Sequence, residues 1–179
     1  MTRARHVMLD LETMGTSPDA AIVAIGAVTF EPAGGTCPAR YFQPVQLETA
    51  VAAGGTIDPG TVQWWMRQSD AARAVLQGGA PIVDALVGFA AWLADAADGD
   101  VQVWGNGADF DNVILSRAYT RARMARPWRT YANRCYRTAK NLRPEVPLHR
   151  IGVHHHAADD AASQALHLMA IFRALGVQP

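Results

Sequence analysis

Apolar positions follow two periods along the chain, and the change from one to the other predicts where strands give way to helices. Residues 6–11, 21–30 and 39–44 have the short apolar runs of β-strands, and a Pro/Gly turn at 31–35 separates the second from the third. Such short connections predict an antiparallel meander. A fourth strand is predicted over 101–104, where a buried apolar run stops at Gly105.

Helical periodicity dominates the other segments. Asp58 and Pro59 have the N-cap and first-turn signature of a short helix carrying Trp64 and Trp65, and Ser69 begins another. Longer helices are predicted over 81–96, 109–123 and 157–175, with a short one over 133–142. The predicted order, with three strands first and then strands alternating with helices, is typical of an α/β fold. We therefore predict one α/β domain over residues 1–179.

Composition and cysteine usage narrow the class of protein. Half of the 179 residues are apolar and 18% are charged, which is typical of a soluble globular domain. No run approaches the roughly 18 apolar residues of a membrane span, so we expect a cytoplasmic protein with no membrane partner. Cys37 and Cys135 have neither metal-ligand nor disulfide-framework spacing, and we expect both thiols to be reduced.

The charges are unevenly distributed, although they sum to zero. Residues 1–116 have 5 Lys/Arg against 13 Asp/Glu, whereas residues 117–150 have 10 Lys/Arg against the single Glu145. A basic segment of this kind suits a phosphate backbone. It is also typical of a solvated helix face, and the sequence leaves both readings open.

Acidic side chains cluster at three places. Asp10 and Glu12 share one face of the first strand, about 7 Å apart, because side chains at i and i+2 point the same way. Alone, this pair also fits a solvated strand face. The second cluster follows the fourth strand, where Asp109 is a better candidate for a helix cap than Asp111. The third cluster begins the last helix: His154, His155, His156, Asp159 and Asp160.

Each cluster is ambiguous by itself, but together they suggest a chemistry. Acids in a first helical turn are favoured by the helix dipole whatever their function. A transition-metal site at the histidines would need a fourth ligand, and no suitable spacing supplies one. Four carboxylates and one imidazole are, however, chemically complete for phosphoryl transfer with two divalent cations. Oxygen ligands of this kind suit Mg²⁺ or Mn²⁺.

The three clusters resemble the exonuclease motifs of the DEDD superfamily, in its DEDDh branch. The first motif covers residues 7–15, the second 107–115 and the third 155–161. A closer resemblance is to the Rv2179c-like 3′→5′ exoribonuclease subfamily of prokaryotes and phages. It is carried by residues 61–65, 68–69, 72–73, 103–107 and 134–138.

This resemblance implies a fold and an activity. The fold would be an RNase H-like mixed five-stranded sheet flanked by helices, its first three strands antiparallel. The activity would be metal-dependent 3′→5′ hydrolysis of single-stranded nucleic acid, with RNA favoured over DNA, to nucleoside 5′-monophosphates. A homodimer is expected by family analogy only.

Site residues are implied position by position. Two divalent cations, Mg²⁺ or Mn²⁺, would be held by Asp10, Glu12, Asp111 and Asp160, with His155 as the general base. The same spacing fits His154 with Asp159, but Ala161 and the apolar phase of the helix favour His155 with Asp160. Seven residues are expected beside the substrate: Thr13, Met14, Gly15, Trp64, Trp65, Asn106 and Phe110.

Some alternatives remain open at this point. One tryptophan of the pair could stack on a terminal base, or both could pack against the sheet or a partner subunit. The chain could also be an oligonucleotide-binding module without catalysis, or a phosphoesterase acting on a small nucleotide. The complete set of five catalytic positions argues against the first, and the basic segment argues weakly against the second.

Overall fold

A computed structural model describes residues 3–177 of the chain. Within them, five strands form one sheet: β1 (Ala4–Thr13), β2 (Ile22–Phe30), β3 (Arg40–Pro44), β4 (Ala97–Gly105) and β5 (Asn133–Cys135). The helices are α1 (Leu47–Ala52), α2 (Pro59–Met66), α3 (Asp70–Arg73), α4 (Ile82–Ala96), α5 (Asp111–Arg121), α6 (Tyr136–Leu142) and α7 (Ala157–Leu175). Short 3₁₀ turns lie at Ala74–Leu76 and Thr130–Ala132.

The sheet is mixed, with β1 at its centre. The strand order is β3-β2-β1-β4-β5. The first three strands form the predicted antiparallel meander, whereas β4 runs parallel to β1 and β5 runs parallel to β4. This is the mixed five-stranded sheet flanked by helices that the resemblance implies.

Side chains of β1 alternate between two hydrophobic layers, as its period predicts. Val7, Leu9 and Leu11 belong to the layer that contains the apolar faces of α4 and α5. Met8 belongs to the opposite layer, which contains the apolar face of α7. Asp10 and Glu12 continue the row of Met8, so they lie on the α7 side of the sheet.

Most predicted elements agree with the structure, and two differ clearly at their start. The fourth strand begins at Ala97 and not at residue 101. The last helix spans the predicted residues 157–175, and Asp58 and Ser69 cap their helices by accepting from the amides of Thr61 and Ala72. The helix predicted over 133–142 begins only at Tyr136, because residues 133–135 form β5. This edge strand has no apolar alternation, and its pairing with β4 decides its conformation. No helix among residues 3–177 is both long and apolar enough to cross a bilayer.

Helix α7 touches β2 at Gly26. A Cβ at this position would lie 2.2 Å from the carbonyl carbon of Ala157 and 2.3 Å from the nitrogen of Ala158. Glycine therefore allows the first turn of α7 to lie directly on the strand. Because Gly26 pairs with Asp10 across the β1–β2 ladder, the same contact brings Asp160, in the first turns of α7, towards Asp10.

We expect Gly26→Ala to destabilise the protein by about 1–3 kcal/mol, since the added methyl overpacks a backbone contact. The melting temperature should fall by about 2–4 °C for each kcal/mol in a domain of this size. Gly35→Ala is the matched control, because a Cβ there meets nothing within 4 Å. A wild-type melting temperature for Gly26→Ala, measured by circular dichroism, would contradict this account of the helix contact.

Candidate active site

Three carboxylates from two elements converge at the end of β1. Oxygens of Asp10, Glu12 and Asp160 all lie within 4.8 Å of one another. Glu12 and Asp160 are only 6% and 7% exposed, and Asp10 is half-buried. Like charges this close repel strongly where water is scarce. The group therefore needs protons or cations to neutralise it.

Asp111 lies beside this group, held by backbone amides. Its Oδ1 accepts from the N–H of Leu11 at 3.1 Å, and its Oδ2 accepts from the N–H of Asn106 at 3.0 Å. The β1–β4 pairing ends at Met8, so the Leu11 amide takes the carboxylate in place of a strand partner. These bonds fix Asp111 at the start of α5, where it is 2% exposed.

Burial raises the pKa of these carboxyl groups. The pKa of Asp10 lies well above its ordinary value, and the charges of Asp111, Glu12 and Asp160 add to the effect of burial. Burial, with Asp160 and Asp111 nearby, raises the pKa of Glu12 to about 8. Burial also raises the pKa of Asp111 to about 7, although its backbone hydrogen bonds and Arg137 oppose the shift. Without cations, the site holds protons near neutral pH.

The donor set fits hard divalent cations. Carboxylate oxygens suit Mg²⁺ and Mn²⁺ rather than thiophilic metals. Gln164 adds a second observation: its Nε2 donates to Asp10 Oδ1 at 2.7 Å, while its buried Oε1 has no hydrogen-bond partner among residues 3–177. A free amide oxygen beside the carboxylates can accept from a water on a bound cation.

Gln164 was missed in the sequence analysis. Its signal was the i+4 spacing from Asp160, which places both side chains on one face of α7. A buried polar side chain needs a partner, and Asp10 supplies one for Gln164.

The structure brings Asp160, and not Asp159, to the other acids. Asp159 instead pairs with Arg40 at 2.6 Å and accepts from the N–H of Val153 at 2.8 Å. The backbone N–H of His155 donates to Asp160 Oδ2 at 2.8 Å. The geometry thus places His155 and Asp160 at the site in the register that the phase of α7 predicts, while their catalytic roles stay predictions.

A cleft of about 370 Å³ opens beside the acids. Trp64 is half-buried and meets the ring of His155 edge-on, with the centroids 4.7 Å apart. Trp65 is 2% exposed and donates its Nε1–H to the carbonyl of Thr13 at 2.9 Å. The two tryptophans therefore differ: Trp64 offers a ring to the cleft, and Trp65 supports its floor. The lining also includes Leu11, Glu12, Gly15, Thr16, Asp58, Gly60, Thr61 and Phe110.

Two of the expected substrate contacts are placed elsewhere. Met14 packs in the core at 5% exposure, its N–H donates to Ala21 and its carbonyl accepts from Asp58. Its backbone is thus engaged within the chain, and its contact with the substrate stays a prediction. Asn106 uses its backbone to hold Asp111 and Arg137 and is not part of the cleft lining.

Much of the basic segment is engaged in internal contacts. Arg117 and Arg121 both bind Asp19, at 2.9 and 2.7 Å. Further pairs join Arg129 to Asp100 and Arg143 to Glu145. Two arginines do reach the acidic site: Arg137 donates to the carbonyl of Asn106, and Arg150 donates to Asp160 Oδ1 at 2.8 Å. Half of the ten basic residues in this segment therefore pair with acids of the chain.

Comparison with protein families agrees with this geometry. The model of the 3′-5′ exoribonuclease Rv2179c-like domain matches residues 5–172. The chain belongs to this family. It is thus a 3′→5′ exonuclease, a hydrolase, and all the site residues described above fall within the matched segment. A comparison with curated proteins found no match.

Solved structures with the same fold have low sequence identity to this chain and include nucleases. The nuclease domain of 3′hExo, a DEDDh family member bound to rAMP, has a TM-score of 0.66 at 12% identity, covering 94% of this chain and 92% of that one. Exonuclease X in complex with 5′ overhanging duplex DNA has a TM-score of 0.61 at 17% identity, covering 97% and 94%. S. pombe Pop2p in a form bound to Mg²⁺ and Mn²⁺ has a TM-score of 0.64 at 15% identity, covering 94% of this chain and 83% of that one.

The family assignment decides between the functional classes left open by the sequence. The predicted RNase H-like fold and DEDDh exonuclease class are confirmed by the family model and the structural neighbours. A binding module without catalysis and a small-molecule phosphoesterase both lose support. The family's dependence on divalent metal agrees with the oxygen-rich site.

The raised carboxyl pKa values predict how the stability of the metal-free exonuclease depends on pH. A carboxyl whose pKa is higher in the folded than in the unfolded chain stabilises the fold at low pH, and this stabilisation is lost as pH rises through the folded pKa. For Asp111 and Glu12 those values are about 7 and about 8. Because unfolded carboxyls titrate at about pH 4, the melting temperature in EDTA should fall as pH rises from about 5 to about 8 and level off above that.

The Glu12→Gln variant isolates the contribution of one carboxyl. In EDTA, its melting temperature should fall less steeply with rising pH than that of the wild type. The exposed Asp98→Asn is the control and should keep the wild-type slope. Mg²⁺ or Mn²⁺ should restore the melting temperature of the wild type at high pH, because ligands of the folded state stabilise it. A wild-type curve that is flat or rising over this range in EDTA would show that the carboxyls do not hold protons.

Proposed function

We propose that the exonuclease removes nucleotides one at a time from single-stranded RNA 3′ ends, using two divalent cations and His155 as general base. The observation that carries this is the convergence of Asp10, Glu12 and Asp160 within 4.8 Å, next to the loop that presents His155. Asp111 completes the set of four carboxylates. These four residues would hold the cations, Mg²⁺ or Mn²⁺.

The chain's own residues have separate tasks in this proposal. Bound cations would supply Lewis acidity and stabilise negative charge on the phosphate. His155 accepts the proton of the attacking water, and burial together with the charge of His154 lowers its pKa, which favours the neutral, proton-accepting form. Gln164 orients Asp10, and the backbone amides of Leu11 and Asn106 orient Asp111.

The cleft suits a terminal nucleotide. Trp64 and Phe110 line it on the side of the acids, and an aromatic ring can stack on any base without reading its sequence. The hydroxyl of the exposed Thr16, which lines the cleft beside Thr13 and Gly15, offers a hydrogen bond to the sugar. The RNA preference rests on the family description and on the ribonucleotide named in the 3′hExo structure.

The test of the activity is digestion of 5′-labelled single-stranded RNA and DNA of one sequence, with Mg²⁺, with Mn²⁺ and with EDTA. We expect a ladder that shortens from the 3′ end, depends on metal and is faster on RNA. Asp160→Asn should lower the rate by about 10³-fold, since loss of a metal ligand removes several kcal/mol of transition-state stabilisation.

Asp159→Asn is the matched control for this experiment. Asp159 is the adjacent acid but pairs with Arg40 away from the site, so the variant should keep most of its activity. A faster ladder on DNA would overturn the RNA preference alone. Full activity in Asp160→Asn would overturn the metal site, and no ladder from folded, metal-loaded protein would overturn the proposed activity.

Two further substitutions should change different kinetic constants. His155→Ala should lower kcat by about 10²–10⁴-fold, the usual contribution of a general base, with little change in KM. Trp64→Ala should raise KM by about 10–100-fold, the equivalent of one stacked base. The exposed His149 and Met66 provide the control variants His149→Ala and Met66→Ala. Equal effects of both site variants on KM and kcat would speak against separate roles.

A further inference from the structure

A second group of metal-ligating atoms lies on the outer side of Asp160. A ring nitrogen of His154, a ring nitrogen of His155 and an oxygen of Asp160 lie within 4.8 Å of one another. This group shares only Asp160 with the three carboxylates. Its donors are two nitrogens and one oxygen, so its chemistry differs from that of the all-oxygen site.

The backbone fixes two members of this group, His155 and Asp160. His155 adopts a left-handed conformation, with φ of 62°, and its N–H donates to Asp160 Oδ2. A left-handed non-glycine residue is uncommon and is held here by that hydrogen bond. His154, by contrast, is exposed, and its ring stacks on that of His155 with the centroids 3.7 Å apart. His154 is therefore the adjustable ligand.

The donor set selects a class of cation. Imidazole nitrogens bind Zn²⁺, Co²⁺ and Ni²⁺ in preference to Mg²⁺. Zinc bonds of about 2.0–2.1 Å require ligand atoms somewhat closer than 4.8 Å, and rotation of the exposed His154 ring can close that gap. Three protein ligands leave one position of a tetrahedral ion to water. Arg150, which donates to the other oxygen of Asp160, is half-exposed and can move into solvent.

We propose that His154, His155 and Asp160 form a transition-metal site that inhibits the exonuclease when Zn²⁺ occupies it. The inhibitory part rests on the proposed function, because a zinc ion on the His155 ring removes its proton-accepting nitrogen. The ring of His155 also meets Trp64, so the ion would lie at the mouth of the cleft. The binding part stands on the ligand geometry alone.

Binding is tested without an activity assay. The wild-type protein, saturated with Mg²⁺, is titrated with Co²⁺ while the visible absorption of the metal is recorded, and then with Zn²⁺ as competitor. We expect one tight Co²⁺ site whose absorption has the intensity of four-coordinate nitrogen and oxygen ligation. His154→Asn should weaken Co²⁺ binding at least about tenfold. His149→Asn, a histidine in the same loop outside the group, should leave binding unchanged.

Asp10→Asn separates this site from the catalytic carboxylates. Asp10 belongs to the all-oxygen group only, so its variant should keep the Co²⁺ spectrum. A Co²⁺ signal that survives His154→Asn, or that disappears with Asp10→Asn, would overturn the proposed site.

Inhibition is then measured on labelled RNA in excess Mg²⁺, with each rate divided by the same variant's rate without zinc. Zn²⁺ should inhibit the wild type and should require at least about tenfold more metal with His154→Asn. Zinc bound as expected but without inhibition would overturn the inhibitory role alone. Absence of RNA hydrolysis in Mg²⁺ would count against the proposed function and leave the binding result standing.

Discussion

Repulsion between carboxylates that the fold forces together is the constraint on which the rest of the site depends. Asp10 and Glu12 share a face of β1 because strand side chains alternate, and Asp160 joins them because α7 lies directly on Gly26. The free energy that holds them there comes from apolar burial on both faces of the sheet. Cations relieve the repulsion, so the site and its metal dependence have the same physical origin.

Backbone amides orient the acids more than side chains do. Asp111 is held by the N–H groups of Leu11 and Asn106, and Asp160 by that of His155. Amides at the ends of strands and helices move little, because the regular elements behind them are rigid. Two side chains also take part: Gln164 reaches Asp10 from the next turn of α7, and Arg150 donates to Asp160. The buried Oε1 of Gln164 has no hydrogen-bond partner among the described residues.

The parts of this structure that follow from local pattern could be predicted from the sequence. The alternation of β1 assigned Asp10 and Glu12 to one face, and the apolar phase of α7 favoured Asp160 over Asp159. What local pattern cannot show is pairing at a distance. Residues 133–135 become a strand only because β4 lies beside them.

The ion pairs of the basic segment and the burial of single side chains were harder to predict, because they too depend on residues distant in sequence. Asp19, the partner of Arg117 and Arg121, is about a hundred residues away from them in sequence. Met14 was expected beside the substrate together with its neighbours Thr13 and Gly15. Its backbone amide and carbonyl are instead hydrogen-bonded to Ala21 and Asp58. Trp64 and Trp65 are adjacent in sequence, and only the position of α2 against Thr13 decides which of them is buried.

The distribution of charge bears on how an acidic cleft can bind a polyanion. Five of the ten basic residues of segment 117–150 pair with acids of the chain, so part of its attraction for the phosphate backbone is used internally. In the proposed function, cations on the carboxylates and stacking at Trp64 add to the affinity at the strand end. Both contacts act on the last nucleotide alone. Contacts limited to the last nucleotide are sufficient for an enzyme that binds the end of a strand. They therefore favour cleavage from a terminus over cleavage within a strand.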